Sequence, residues 1–303
     1  MSLYQKHRPK DFSELKGNTD IITSLDKMLS DKDSCPHAFL LHGQTGCGKT
    51  TVARIIASRL GCSGKDLYEI DSGQFRGIDT IREIRSNIGY MPIDSKCRIW
   101  ILDEIHRGTH DAQSGLLKIL EDTPKHVYFI LCTTDPQKLL PTIRGRCIQL
   151  QMNPLSDKQM YSLLYSITNK EGEKLGNEII EQIIQDSMGL PRNAINILEQ
   201  VISVPEEKRM AVSKRAAEQQ SQIIELCRAL IKNEGWGKIK VIIKGLKEQD
   251  PEGIRRAILG YCQAVLLNGE NDQAAIIIEA FHQPTYDIGF PGIVFACYSI
   301  IKN

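Results

Sequence analysis

The residues best suited to chemistry lie in one run, Gly43-Gln44-Thr45-Gly46-Cys47-Gly48-Lys49-Thr50-Thr51, spaced G-x-x-x-x-G-K-T. That spacing is a phosphate-cradling loop. Gly43, Gly46 and Gly48 let the backbone curl until successive N–H groups point inward at phosphate oxygens. The helix that follows adds the partial positive charge of its N-terminus. Lys49 neutralises the β- and γ-phosphates, and the Thr50 hydroxyl suits a Mg²⁺ ion. The whole run 43–51 is therefore the expected contact surface for a nucleotide.

A second chemical pair, Asp103-Glu104, closes the apolar run Arg98-Ile99-Trp100-Ile101-Leu102. Acidic pairs at strand ends are common. About fifty residues beyond a phosphate loop, they read as a Mg²⁺ carboxylate (Asp103) and a base that polarises an attacking water (Glu104). Thr134 follows the apolar run Val127-Tyr128-Phe129-Ile130-Leu131-Cys132 and is the candidate for holding that water. ATP is preferred over GTP because no N-K-x-D box follows; Asn169-Lys170-Glu171-Gly172 lacks the aspartate.

These residues need elements to position them. The apolar run before the loop, 35–41, reads as a buried strand, and 50–60 reads as an amphipathic helix carrying Val52, Ile55, Ile56 and Leu60. Further strands are expected at 66–71, 98–102, 127–132 and 148–152. Helices are expected at 19–30, at 79–88 and after Thr109, a natural N-cap. The 79–88 helix sets Ile81, Ile84 and Ile88 on one face and Arg82 and Arg85 on the other. At Asn153-Pro154 the alternating pattern stops. Helices follow at 157–168, 177–188 and 191–204, then a polar hinge at 205–209. Five helical stretches follow from 213: to about 232, 236–248, 251–267, 272–282 and 290–301. That last segment carries no catalytic motif and reads as a helical bundle for packing or oligomerisation.

Three cationic stretches stay open to two readings. The basic arm Leu3-Tyr4-Gln5-Lys6-His7-Arg8-Pro9 reads as extended. It is either a surface strap or a cover over the nucleotide, with Tyr4 against the base and Arg8 near the phosphates. Arg144-Gly145-Arg146 is either a solvated turn or a charge presented to a neighbouring subunit's nucleotide. Arg192, next to Pro191 at a helix start, is badly placed for the helix dipole, which argues for an anion nearby. His106 and His110, four apart, lack an H-E-x-x-H pattern and a third ligand, so they read as structural or phosphate-sensing and not as a zinc site.

Composition bounds the rest. At 303 residues, with 25% charged and 41% hydrophobic residues, the chain is an ordinary globular one of roughly two domains. A net charge of +1 excludes a polycation that would bind nucleic acid by its overall field. The polar opening residues lead to the expectation of no signal peptide, and no apolar run reaches membrane-spanning length. The nine cysteines are scattered without a C-x-x-C and read as reduced, mostly buried hydrophobes.

The motifs Tyr4…Arg8-Pro9…Phe12…Gly17, the phosphate loop, Glu69-Ile70-Asp71, Asp103-Glu104-Ile105-His106 and Leu116-Leu117-Lys118-Ile119-Leu120-Glu121 occur in this order. They are followed by Thr133-Thr134-Asp135-Pro136-Gln137-Lys138-Leu139, Arg146-Cys147 and Gly189-x-x-Arg192-x-Ala194. Together they resemble the ATPase subunits of sliding-clamp loaders in the AAA+ superfamily, bacterial DNA polymerase III gamma/tau and the replication factor C small subunits among them. The resemblance implies an α/β AAA+ core with a parallel sheet (1–152), a small three-helix lid (153–205) and an all-helical collar (206–303).

It also implies an ATPase, with Lys49, Thr50, Asp103 and Glu104 on Mg²⁺ and ATP, Thr134 as sensor 1 and Arg192 as sensor 2. Arg146 would be the arginine finger for the adjacent subunit's ATP. Lys118 and basic residues on inner helices would track DNA phosphates. Arg82 and Arg85, on the helix before the acidic pair, are the further candidates, and the alternative for all three is an ordinary solvated helix face. The implied partners are other loader subunits in a ring expected to be pentameric, a sliding clamp and primer-template DNA. The implied setting is cytoplasmic, with no membrane.

Two departures stand out. Gly145 replaces the serine of the family's Ser-Arg-Cys motif, which suggests a more flexible loop. Only Cys62 stands where bacterial members carry a four-cysteine module, so no zinc is expected, and no long tau-type extension is read at the C-terminus. A branch-migration motor and a non-hydrolysing scaffold subunit are the rival readings. The segment 116–121 and Arg146-Cys147 speak against the motor, and intact Lys49, Glu104 and Arg192 speak against the scaffold.

Overall fold

Strands that are apolar along their whole length can be buried only in a parallel sheet covered by helices on both faces, and the computed structural model has that arrangement. The structure describes residues 1–31, 35–71, 78–247, 249–267, 269–285 and 288–302. The chain divides into two compact units, 1–205 and 206–303. In the first, elements run α1 (Leu3–Lys6), α2 (Thr19–Ser30), β1 (Ala38–His42), α3 (Lys49–Arg59), β2 (Leu67–Ile70), α4 (Ile78–Asn87) and β3 (Arg98–Leu102). They continue with α5 (His110–Glu121), β4 (Val127–Thr133), α6 (Pro141–Arg144), β5 (Ile148–Gln151), α7 (Asp157–Glu171), α8 (Asn177–Ser187) and α9 (Pro191–Ile202).

The five strands pair in parallel in the order β2-β3-β4-β1-β5. Register sets the chemistry. His42 stands beside Thr133 and Leu102 beside Leu131, so the carboxyl ends of β1, β3 and β4 open on one edge. The period-2 alternation splits the strands between two cores. Phe39, Leu41, Ile99, Ile101 and Ile130 pack with Leu25 of α2 and Val52, Ile55 and Ile56 of α3. Leu40, Trp100, Leu102, Phe129 and Leu131 pack with Ile81 and Ile84 of α4 and Leu116 and Ile119 of α5. Trp100 stacks between Tyr68 and Phe129, with ring centroids at 5.0 and 5.5 Å. Helices α4 and α5 meet closely at Gly115, where an added Cβ would lie 2.8 Å from Ile81 Cγ2.

Local signals fix the helix ends. Thr109 Oγ1 accepts from Ala112 N–H at the start of α5. Ser156 and Gln159 form a reciprocal capping box on α7. Pro191 occupies the first turn of α9. All nine cysteines are unpaired and buried. No helix among the described residues is long and apolar enough to cross a membrane.

Two expectations need correcting. The N-terminal arm is not wholly extended. Leu3–Lys6 form a helical turn closed by Lys6 N–H to Ser2 O (2.9 Å) and His7 N–H to Leu3 O (2.9 Å). One turn with a single buried residue, Leu3, leaves no periodicity to read. The polar stretch 206–209 is not a hinge but the first turn of the next helix, where Glu206 and Glu207 suit the positive helix end.

The second unit comprises α10 (Glu206–Ile231), α11 (Trp236–Gly245), α12 (Pro251–Leu267), α13 (Asp272–Phe281) and α14 (Phe290–Lys302). Its core gathers Leu226, Leu230, Ile239, Ile243, Ile258, Ile277, Phe281, Ile293 and Ile300. Glu248, Asn268 and residues 286–287, expected at a helix end and in turns, lie outside the described residues.

This unit holds one buried ion pair among the described residues. Glu252 takes Arg255 in a bidentate pair (2.7 and 2.9 Å) and accepts from Thr285 N–H (3.1 Å), while Arg255 also donates to Phe281 O (2.8 Å). The Arg255 hydrogen bond is the chief cause that holds the Glu252 carboxyl down at about 2. A depressed acid contributes stability above its unfolded value of about 4.5, and that stability is lost as pH falls from there toward about 2. Glu252→Gln therefore costs on the order of 3 kcal/mol at pH 7 by stranding Arg255. In urea unfolding, the gap between the variant and the native chain should narrow as pH drops from 5 to 3. A gap constant across that range would contradict the assignment.

Candidate functional site

The loop between β1 and α3 has the backbone its glycines allow. Gly43, Gly46 and Gly48 take φ of +148°, +85° and +102°. At Gly43 an added Cβ would sit 2.3 Å from Met152 O, and at Gly46 3.2 Å from Arg192 Cβ. The residue that follows β5 and the lid helix α9 thus close on the loop backbone itself. Lys49 is buried and donates from Nζ to the carbonyls of Gly43 (2.9 Å) and Gln44 (3.0 Å). Burial pushes up the Cys47 thiol, which packs as a small hydrophobe beneath the loop.

Thr50 Oγ1 donates to Asp103 Oδ2 at 2.8 Å, and the other Asp103 oxygen accepts from Glu104 N–H at 2.9 Å. Glu104 has a left-handed backbone (φ 52°, ψ 38°), which costs a non-glycine residue on the order of 1 kcal/mol and is typical of functional turns. Its Oε2 lies 3.6 Å from His106 Nε2 and 3.7 Å from Arg107 Nε. His106 Nδ1 meets Thr133 Oγ1 at 2.9 Å, and that oxygen accepts from Asp135 N–H at 3.0 Å. The ring is thus held by Thr133 through Nδ1, which leaves Nε2 facing Glu104. Burial holds the His106 ring below the usual imidazole range, against the opposing pull of Glu104, so it is neutral near pH 7.

The structure gathers most of the expected residues at the open sheet edge. Thr134 is half-buried just beyond β4, and its hydroxyl has no hydrogen-bond partner among the described residues. Gln44, Thr45 and Thr51 belong to the loop and the first turn of α3. Tyr4, Arg8, Pro9, Gly46, Cys47 and Thr51 line a cleft whose apolar wall includes Leu15, Ile22, Met152, Leu155 and Leu163. That mix of an apolar wall and a few polar groups suits a nucleoside. Arg192 N–H reaches Gly46 O at 3.4 Å, and its guanidinium lies 4.9 Å from the Tyr4 ring centroid.

Other expected residues lie elsewhere. Arg146 follows α6 and is bonded within its own chain, to Glu121 and to Thr142 O (3.0 Å). Gly145 has an ordinary right-handed backbone (φ −69°), and an added Cβ would meet nothing closer than 3.5 Å, so the geometry does not demand glycine there. Lys118, Arg82 and Arg85 are exposed on α5 and α4, on the sheet face opposite α3. Arg82 pairs with Asp79 at 2.8 Å. Sequence reasoning missed Thr133, whose only signal was its place as the last residue of β4. It also missed the carboxylates that hold the arm, Glu171 on α7 and Glu199 on α9.

The chain's own features fit a nucleotide and Mg²⁺. Gly48 faces open space where a Cβ would stand. The Nε atoms of Arg8 and Arg192 are buried without partners. Thr50 and Asp103 bring two hard oxygen donors together, as Mg²⁺ requires.

This edge and loop define the class: an α/β P-loop module of the AAA+ kind. Over about two thirds of its length the chain is similar to DNA polymerase III gamma and gamma/tau subunits. It is 34% identical over 226 residues to the DNA polymerase III subunit gamma/tau of Mycobacterium tuberculosis, covering 67% of this chain and 39% of that one. It is 34% identical over 218 residues to the DNA polymerase III subunit gamma of Buchnera aphidicola from Schizaphis graminum, covering 65% and 60%. The chain thus spans about two fifths to three fifths of these relatives' length. The family model described as DNA polymerase III, delta subunit, matches residues 62–156. Among solved structures, the Thermotoga maritima RuvB Holliday junction branch migration motor superposes with a TM-score of 0.61 at 20% identity, covering 74% of this chain and 79% of that one. Its A156S mutant gives 0.62 at 19%, covering 89% and 88%. At that identity the likeness speaks for the fold alone.

Gly46→Ala tests the closure of lid on loop. A left-handed φ and a neighbour at 3.2 Å leave no relaxed place for the methyl. The variant should lose at least about tenfold in ATP affinity and on the order of 1–2 kcal/mol in stability. Isothermal titration and urea unfolding check both, and unchanged affinity would contradict the packing.

Proposed function

We propose that this chain is an ATP-hydrolysing subunit of a sliding-clamp loader, acting in a ring with other loader subunits to place a clamp on primer-template DNA. The observation that carries the reading is the hydrogen bond from Thr50 to Asp103 beneath the phosphate loop, with Glu104 beside it. In this reading Lys49 and the loop N–H groups hold the phosphates. Thr50 and Asp103 would hold Mg²⁺, which supplies charge neutralisation on the phosphate oxygens when bound. Glu104 accepts the proton of the attacking water, Thr134 orients that water, and the neutral His106 and Thr133 steer the Glu104 carboxylate. Arg192 from the lid stabilises charge developing on the terminal phosphate.

Three functional parts are proposed within the two compact units: nucleotide-binding 1–152, lid 153–205 and collar 206–303. The same reading makes the protein cytoplasmic, with a ring of five subunits and no zinc. A branch-migration motor shares the fold but has no support from sequence similarity of the same strength.

Hydrolysis in this reading is a property of the assembly. Arg146 exchanges Glu121 for the neighbouring subunit's phosphates. Arg146→Ala should cut turnover by about a thousandfold or more in the assembled ring while ATP still binds. Lys49→Ala should abolish ATP binding, and Glu104→Gln should keep ATP bound without turning it over. Steady-state ATPase and nucleotide titration, with clamp and primed DNA, separate the three. A lone chain whose turnover ignores both Arg146→Ala and protein concentration would sink the trans assignment.

DNA affinity should come from few contacts repeated around the ring. Lys118→Ala should lower the slope of log affinity against log salt by roughly one unit for each subunit in contact, and should blunt DNA stimulation of turnover. A full slope with full stimulation would return Lys118 to the solvated surface.

A further inference from the structure

We infer that Tyr4 is the residue that positions two cations above the phosphate loop, and that through them it sets the preference for a nucleoside triphosphate over the diphosphate. The inference rests on the reading of this cleft as an ATP site and gives Tyr4 a role other than stacking on the base. Its ring carries the Arg8 guanidinium at 5.0 Å and the Arg192 guanidinium at 4.9 Å from the centroid. Its hydroxyl accepts from Arg192 Nη2 at 3.3 Å. Attraction between a cation and a ring face is ordinary. Two cations on one ring, from parts of the chain 184 positions apart (192 less 8), are not.

Neither guanidinium has a carboxylate partner among the described residues, and both Nε atoms are buried and unpartnered. Two like charges so placed repel each other, and a buried donor left unpaired is costly. What keeps them together is the strap. Leu3 N–H donates to Glu199 Oε1 on α9 at 3.1 Å, and Glu171 on α7 takes Lys6 at 2.8 Å and also His7. Tyr4 and Arg8 are therefore tied to the lid helices that carry Arg192. The two carboxylates that hold the strap are spent on its backbone and on Lys6 and His7, so the arginines keep their charge for something else.

The missing partner is an anion, and its place follows from the surroundings. Tyr4 and Arg8 line the same cleft as Gly46, Cys47, Gly48 and Thr51, and Arg192 rests on Gly46 through its backbone. Lys49 serves phosphates from within the loop. The arginine pair serves them from the lid side. The terminal phosphoryl group is what ATP has and ADP lacks. Among the described residues, the side chains of the pair bond to no oxygen of the chain beyond the tyrosine hydroxyl, and Lys16 is a further cation on the cleft wall. With two guanidinium groups against the Tyr4 ring, Leu15, Ile22, Met152, Leu155 and Leu163 supply an apolar wall for the base.

The test titrates the full chain with ATP and with ADP in Mg²⁺ and reads the ratio of the two dissociation constants. Tyr4→Leu should lower the preference for ATP by about tenfold, while Tyr4→Phe, which keeps the ring face, should stay within about threefold of the native ratio. The double variant Arg8→Met, Arg192→Met should lose the same preference, and adding Tyr4→Leu to it should change the ratio little, because the three act as one unit. Equal weakening of ATP and ADP in Tyr4→Leu is the signature of lost base stacking and overturns the inference. So does an unchanged ratio in the double variant. A native chain that binds neither nucleotide overturns the ATP reading and the inference with it.

Discussion

Everything at the open sheet edge depends on a backbone that carries no side chains where side chains would normally stand. Gly43 is closed on by the carbonyl of Met152 and Gly46 by the first carbon of the Arg192 side chain. The base and the lid therefore meet on one stretch of main chain. The contact distances leave no slack, and any change in the lid's seat on Gly46 acts directly on the N–H groups that face the phosphates. Packed interiors transmit small shifts in this way because they are dense and nearly incompressible.

Charge is arranged on that frame by height. Below the loop stand Asp103 and Glu104, the first bonded to Thr50 and the second beside His106. Within it stands Lys49, and above it Arg8 and Arg192. A triphosphate with its metal matches this sequence of signs. The exposed cations Lys118, Arg82 and Arg85 lie on helices α4 and α5, which cover the sheet face opposite α3; in the function proposed above they would serve a polyanion apart from the nucleotide at the sheet edge. A net charge of +1 is compatible with both only because the positive groups are concentrated.

Much of this was legible in the residues alone, and the reason is chemical. A phosphate loop needs its glycines, lysine and threonine at fixed spacing, and a buried parallel strand needs an unbroken apolar run. Both leave marks at short range, so β1, α3, β3 with Asp103 and Glu104, and β4 could be placed. The α5 cap at Thr109 and the first-turn proline of α9 were equally local. What escaped was set by long-range packing. The helical turn at Leu3–Lys6 exists because Leu3 is buried and its N–H is taken by Glu199, 196 residues away. The ring of Tyr4 was readable as an aromatic near a nucleotide, but its two arginines come from opposite ends of the first unit. Thr133 looked like the end of a strand until His106 was seen against it. The helix start at Glu206 was hidden because a solvated helical face and a polar hinge have the same composition.

The two tryptophans fall one in each compact unit. Trp100 is sealed in the sheet between Tyr68 and Phe129, while Trp236 sits half-buried on the second unit, edge-on to Tyr298 at 5.0 Å. A buried indole emits at shorter wavelength than a wetted one. The chain's native fluorescence is thus a sum of two colours that can be followed apart, one reporting the nucleotide-binding sheet and the other the helical bundle, without any label.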